Sequence, residues 1–193
     1  MNMRRWAGIV SFIALGIAAS AQRDPLFPKS FAVAQFAGST GLLSVGFSKV
    51  SRCDKIELGL LYGFLPKAYG GVNHSVSLKF AWNPWQLRLL KKLRIEPLQL
   101  GGFICQNFNK GAEPAWGSRY PKNYYWWPRA TRFHPAVSAQ LAYVAGTRHI
   151  DRLAYYFEAN TNDLYIASYF PNRHALSVYD IVFFGMGLKL YLR

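Results

Sequence analysis

The clearest pattern in the chain lies at its end. Residues 181–193 read IVFFGMGLKLYLR, with Val182, Phe184, Met186, Leu188, Leu190 and Leu192 on one parity. Phe183, Gly185, Gly187, Lys189, Tyr191 and Arg193 occupy the other. A period of two specifies a strand rather than a helix. One wholly apolar face opposite a face of glycines and cations predicts the closing strand of a membrane barrel, with lipid outside and a narrow polar lumen inside.

The same alternation recurs upstream. In 41–50, Leu43, Val45 and Phe47 oppose Ser44, Gly46 and Ser48. In 56–64, Ile56, Leu58, Leu60, Tyr62 and Phe64 oppose Glu57, Gly59, Leu61 and Gly63, and in 75–82 Val76, Leu78, Phe80 and Trp82 oppose Ser75, Ser77, Lys79 and Ala81. A fourth strand covers 96–106, with Leu98, Leu100, Gly102 and Ile104 on one face, and a fifth covers 136–145. A sixth sets Leu153, Tyr155 and Phe157 against Ala154, Tyr156 and Glu158. The turn signal Asn160-Thr161-Asn162-Asp163 then introduces a seventh strand over 164–169. With the closing strand, the pattern predicts an all-β, antiparallel transmembrane β-barrel of eight strands, small enough for side chains to fill its lumen.

Two stretches stay open at this level. Residues 31–37 extend the first strand, form a short helix, or make one arm of a hairpin turning at 38–41. Residues 85–94, WQLRLLKKLR, form either an amphipathic interfacial helix with Trp85 at head-group depth or an extended hairpin arm.

Residues 107–134 interrupt the pattern. This stretch holds Trp116, Tyr120, Tyr124, Tyr125, Trp126, Trp127 and Phe133, punctuated by Pro114, Pro121 and Pro128, and is too long and aromatic for a passive connection. Tyr120, Tyr124, Tyr125, Trp126 and Trp127 are expected to dock a partner protein, with a head-group girdle as the alternative. Counting strands back from a periplasmic last residue puts this segment on the periplasmic side, against the usual preference for short turns there.

Composition places the chain in an exported class. Met1 to Arg5 carry two cations, residues 6–19 carry no charge, and Ala19-Ser20-Ala21 offers a cleavage site, so residues 1–21 are expected to be a signal peptide and 22–193 the barrel domain. Hydrophobic residues make up 51% of the sequence and aromatics 17%, with only 17% charged, an excess that a large core or a lipid-facing surface must absorb. Net charge is +14, falling to +12 without Arg4 and Arg5. For an exported chain this points to anionic lipid head groups and away from nucleic acid.

Charges of inward parity are the candidate interior site. Glu57, Lys79, Glu158 and Lys189 all face a closed lumen on this reading, where each charge needs a partner, so they are expected to form ion pairs that fill it. Inward Gly46, Gly59, Gly63, Gly185 and Gly187 favour a narrow lumen over a conducting one. His149, Asp151, His174, Ser177 and Asp180 fall in two connections expected on one outer rim, where a hydrolytic site would need a nucleophile beside a histidine. Their spacing matches no motif. His74 and His134 are expected at the opposite end without metal-ligand spacing. No cofactor is expected. Cys53 and Cys105 are separated by three strands, which puts them at opposite ends.

The stretches YPKNYYWWPRA (120–130), TNDLYIASYFPN (161–172) and LSVYDI (176–181) resemble an uncharacterised Bacteroidota family of small outer-membrane β-barrels. That resemblance implies a barrel in the outer membrane of a Gram-negative bacterium, in contact with outer-membrane lipids including lipopolysaccharide and with other outer-membrane proteins. It supplies no activity. The chain departs from better-known barrels in ending Leu192-Arg193 where they have an aromatic residue. The expected function is a non-enzymatic structural or accessory subunit of an outer-membrane complex. The alternatives are a barrel that acts on or binds lipid A, and a soluble periplasmic lipid-binding barrel, whose parity differs only in which face meets water.

Overall fold

A computed structural model describes residues 26–69, 71–109 and 130–193. The expected signal peptide, and the expected docking residues Tyr120, Tyr124, Tyr125, Trp126 and Trp127, lie outside the described residues.

The strands are β1 Lys29–Ala37, β2 Leu43–Val50, β3 Ile56–Leu65, β4 Asn73–Trp82, β5 Leu87–Leu90, β6 Leu93–Phe108, β7 Thr131–Val144, β8 Ile150–Asn160 and β9 Phe183–Leu192. Eight of them close into an antiparallel barrel in the order β4-β3-β2-β1-β9-β8-β7-β6, and the β4–β6 pairing completes the ring. The short β5 pairs with the lower part of β6. The stagger follows from the registers. Paired residues lead from Lys29 through Val50, Glu57, Ala81, Gly101, Ala136 and Asn160 to Phe183, two positions beyond the Gly185 that faces Ala37. One circuit therefore climbs ten residues along β1, which tilts the strands by roughly 40°.

The two faces of the wall have opposite chemistry. Leu58, Leu60, Leu78, Phe80, Leu141 and Met186 point outward and are 41–51% exposed, whereas Glu57, Glu158 and Lys189 point inward and are at most 5% exposed. Serines 44, 48, 75 and 77 and glutamines 35, 99 and 140 join them inside. The wall is polar within and apolar without, the reverse of a soluble barrel that holds lipid in an apolar lumen.

The count of eight stands, but its membership changes in two places. Residues 31–37 form most of β1, a strand of its own that turns into β2 through residues 38–42, where Ala37 and Gly38 take positive φ of 59° and 86°. Residues 164–169, expected as a strand, belong instead to helix α1, Asp163–Asn172. Asn162 caps it: its side-chain oxygen accepts the Tyr165 N–H at 2.8 Å, and Asp163 sits favourably in the first turn. The apparent turn signal was a helix start. Residues 85–94 take the hairpin alternative, as β5 and the start of β6.

Losing one crossing reverses the expected placement of the long segment. Both termini of the barrel and the connections at 51–55, 83–92 and 145–149 share one end, called here the terminus end. The connections at 38–42, 66–72, 109–130 and 161–182 share the other. Phe108 and Thr131, which flank the aromatic segment, thus lie at the end of the longer connections, not beside the termini.

Inward glycine sets how close the wall can come to the side chains within it. Gly187 lies between Gln35 and Tyr156 in the ladder, and a Cβ there would run into the backbone carbonyl of Ala34 and meet the Tyr156 ring at 2.7 Å. Replacing Gly187 with Ala is expected to destabilise the folded barrel by about 1–3 kcal/mol through overpacking. The check is the urea midpoint; an unchanged midpoint would mean that both the β1 backbone and the ring have room to give.

Candidate functional site

The interior of the barrel is built in three tiers. At the terminus end the β2–β3 turn folds under the lumen. Asp54 holds a positive φ of 58°, a conformation that Asp tolerates better than most residues, and its N–H donates to the Ser51 carbonyl at 2.9 Å. Its carboxylate receives Lys29 at 3.1 Å and the guanidinium groups of Arg94 and Arg152 at 3.3 Å each. Its carbonyl accepts the Gln86 amide at 2.6 Å. One turn residue thereby ties together β1, β6, β8 and the chain leading into β5. Burial pushes the Asp54 carboxyl up, but Arg152, Lys29 and Arg94 outweigh it and hold it below the usual carboxylate range.

The middle tier holds Glu57 and Lys189. Lys189 Nζ lies 2.7 Å from Glu57 Oε2, the Tyr191 hydroxyl donates to Glu57 Oε1 at 2.7 Å, and Lys189 donates to Gln99 Oε1 at 3.3 Å. Gln99 and Gln140 donate in turn to Glu96 Oε2 at 3.1 and 2.8 Å, and Arg94 faces the other Glu96 oxygen at 2.8 Å. In the upper tier Lys79 pairs with Glu158. Gln35 Oε1 accepts from the Tyr156 hydroxyl at 2.6 Å and from Lys79 at 3.4 Å. The Tyr156 ring lies between the tiers, 5.0 Å from the Lys189 ammonium and 5.4 Å from that of Lys79, close enough for a cation–π contribution to each.

The four charges singled out in the sequence therefore meet as two pairs, Lys189 with Glu57 and Lys79 with Glu158, and all four line one small cavity with Gln99 and Tyr156. The cavity measures about 20 Å³, which is room for about one water molecule. Along this axis the lumen is packed with side chains.

Sequence reasoning missed several members of this network. Glu96 shares the parity of Leu98, Leu100 and Ile104, which would put it outside. A β-bulge lets residues 97 and 98 face the single position 139 of β7, so the parity flips and Glu96 is fully buried. Pro97 was the available signal, since a proline within a strand marks a site that donates no ladder hydrogen bond. Gln35 was hidden by the open assignment of 31–37, and Asp54 by its place in a turn.

The candidate hydrolytic residues are not brought together: His149 and Asp151 lie at the terminus end, and His174, Ser177 and Asp180 at the other. Asp151 pairs with Arg152 at 3.0 Å, while Asp180 and Ser177 cap a short 3-10 turn over Val178–Asp180. His74 and His134 sit at the end shared with His174, not opposite it. Each is held by neighbours, His74 Nδ1 by the Tyr62 hydroxyl and His134 by stacking on Phe103 at 4.5 Å. Cys53, in the 51–55 turn, and Cys105, inside β6 toward the far end, are both free thiols. Among the described residues no group of His, Cys, Asp and Glu is placed to hold a metal ion.

The fold and its interior define the class: an eight-stranded antiparallel β-barrel with a filled, ion-paired lumen and an apolar exterior. No family model matches the sequence, and no curated protein is significantly similar to it.

Two tests address the lumen. Glu57→Leu leaves Lys189 buried without its carboxylate and is expected to cost about 3–5 kcal/mol, while Glu57→Leu combined with Lys189→Met costs clearly less. Unfolding of the barrel in urea measures both, and a harmless single substitution would contradict the closed interior. The pH dependence of Asp54 follows from its lowered value. Its contribution to stability is present above the unfolded-state value of about 3.9 and disappears as the pH falls through the lower folded-state value. Acidification through that window should therefore destabilise the native chain more than Asp54→Asn, read as the difference between their urea midpoints at each pH.

Proposed function

We propose that this chain is a non-enzymatic outer-membrane β-barrel of a Gram-negative bacterium and acts as a structural or accessory subunit of a larger outer-membrane assembly. The observation that carries the reading is the inverted wall. Soluble monomers rarely leave more than a few hundred Å² of contiguous apolar surface in water, and here every barrel strand except β1 contributes two or more large apolar side chains to the exterior. Dimensions support it. A ten-residue strand rising about 3.3 Å per residue at a tilt of roughly 40° covers about 25 Å, the height of the apolar band in such barrels. The asymmetry of the ends supports it too, because the long connections lie away from the termini, as they do on the outer side of outer-membrane barrels.

The Lys189–Glu57 and Lys79–Glu158 pairs cross the middle of the lumen and leave solutes no open route there, so the role falls to the surface of the barrel and its connections. On this reading Tyr120, Tyr124, Tyr125, Trp126 and Trp127 belong to a connection that emerges on the outer side and dock a second outer-membrane protein there. Lipopolysaccharide forms the surrounding surface.

Two measurements test the proposal. The protein is expected to require detergent for extraction and to migrate faster on a gel when unheated than when boiled; recovery as a monodisperse soluble protein overturns the membrane placement. Deleting residues 119–127 is expected to leave the barrel inserted and heat-modifiable but to abolish copurification of its partner. Retention of every partner overturns the docking role, and a solitary barrel whose presence alters lipid A replaces the subunit reading with a lipid-acting one.

A further inference from the structure

We infer that the terminus end of the barrel docks on the head groups of an anionic phospholipid leaflet, through a collar of cations centred on the β5–β6 hairpin; the inference rests on the membrane placement proposed above. Among the described residues, charge is distributed unevenly between the ends. At the terminus end the hairpin exposes Arg88, Lys91 and Lys92, the β2–β3 turn exposes Arg52 and Lys55, and the β7–β8 turn exposes Arg148. None of the six makes an ion pair among the described residues. The described acidic side chains of this end are already engaged: Asp54 with Lys29, Arg94 and Arg152, Glu96 with Arg94, and Asp151 with Arg152. At the other end the described cations Lys67, Arg132 and Arg173 are nearly balanced by Asp163 and Asp180, and Arg132 already pairs with Asp163.

The hairpin also carries the apolar exterior into the collar. Leu87 pairs with Ile95, which pairs with Leu141; Leu90 pairs with Leu93, which pairs with Tyr143. The outward face of β7 therefore continues without a break across β6 and onto β5. There Leu87 and Leu90, with Trp85 just before the strand, are 52%, 69% and 58% exposed. Leucines that extend the belt, a tryptophan at its edge and long cationic side chains beside them are the composition of the head-group zone, where Lys and Arg lay their stems on apolar surface and reach phosphate. An acidic protein partner fits less well. Its contact would be a compact patch poor in lysine, whereas these cations are spread over three turns around a rim.

The test uses the full chain folded in detergent and offered mixed micelles of phosphatidylglycerol and phosphatidylcholine, with bound lipid counted by native mass spectrometry. Each cation near an anionic surface is worth about a fivefold preference, so the wild type is expected to retain phosphatidylglycerol over phosphatidylcholine by about tenfold or more. Combining Arg88→Gln, Lys91→Gln and Lys92→Gln should cut that ratio at least about fivefold, while Lys67→Gln with Arg173→Gln at the other end leaves it unchanged. Heat-modifiable migration shows that each variant is folded. A folded, inserted barrel without the preference, or with equal loss in both variants, overturns the lipid assignment and leaves the membrane placement standing. An unchanged lipid ratio together with hairpin-dependent binding of polyglutamate overturns it in favour of an acidic protein. A chain that fails to enter bilayers overturns both.

Discussion

Lys189 and Glu57 meet across the lumen from strands that are not neighbours, for β1 and β2 lie between β9 and β3 in the wall. Their contact exists only once the barrel has closed, and neither charge tolerates the interior alone, because an isolated ion in a low-dielectric space costs far more than its packing returns. Closure and pairing are thus one event. The neighbouring groups follow from it: Tyr191 and Gln99 complete the hydrogen bonding of the pair, and Gln140 and Glu96 complete theirs.

Much of the interior is arranged to let these groups approach. Glycine at 187 admits the Tyr156 ring, and that ring contacts both lysines while its hydroxyl donates to Gln35. Serines in β2 and β4 fill the remaining space with small groups, and Ser75 donates to the Thr40 carbonyl. At the terminus end the Asp54 turn repeats the solution in miniature, one carboxylate gathering three cations from three strands. The barrel is closed at its base by charge and along its axis by packing.

A filled interior moves the question of function outward. The outer wall is chemically uniform, and the two ends are not. One end holds short connections, the β5–β6 hairpin and, among the described residues, a concentration of cations outside any ion pair; the other holds the long connections, including the exposed aromatic residues Tyr165, Phe170 and Tyr179 of the 161–182 segment. Such a molecule has a direction, which the proposed membrane placement would turn into an orientation across two unlike leaflets.

The sequence by itself determined which segments alternate and which of their residues are charged, because a period of two is a local property of each strand. Glu57, Lys79, Glu158 and Lys189 could be placed together on the polar parity on that basis alone. Tertiary structure decided the rest. Residues 164–169 carry apolar and aromatic residues suited to a strand, yet β8 pairs with β7 on one side and β9 on the other, so the closed wall leaves no edge for them and their capping asparagine starts a helix. The bulge at residues 97–98 shifted one strand by a single position and carried Glu96 from the predicted exterior to the core. Whether the polar or the apolar parity faced inward, and which carboxylate each lysine met, depended on the direction and stagger of closure. These are properties of eight strands together, and no single strand encodes them.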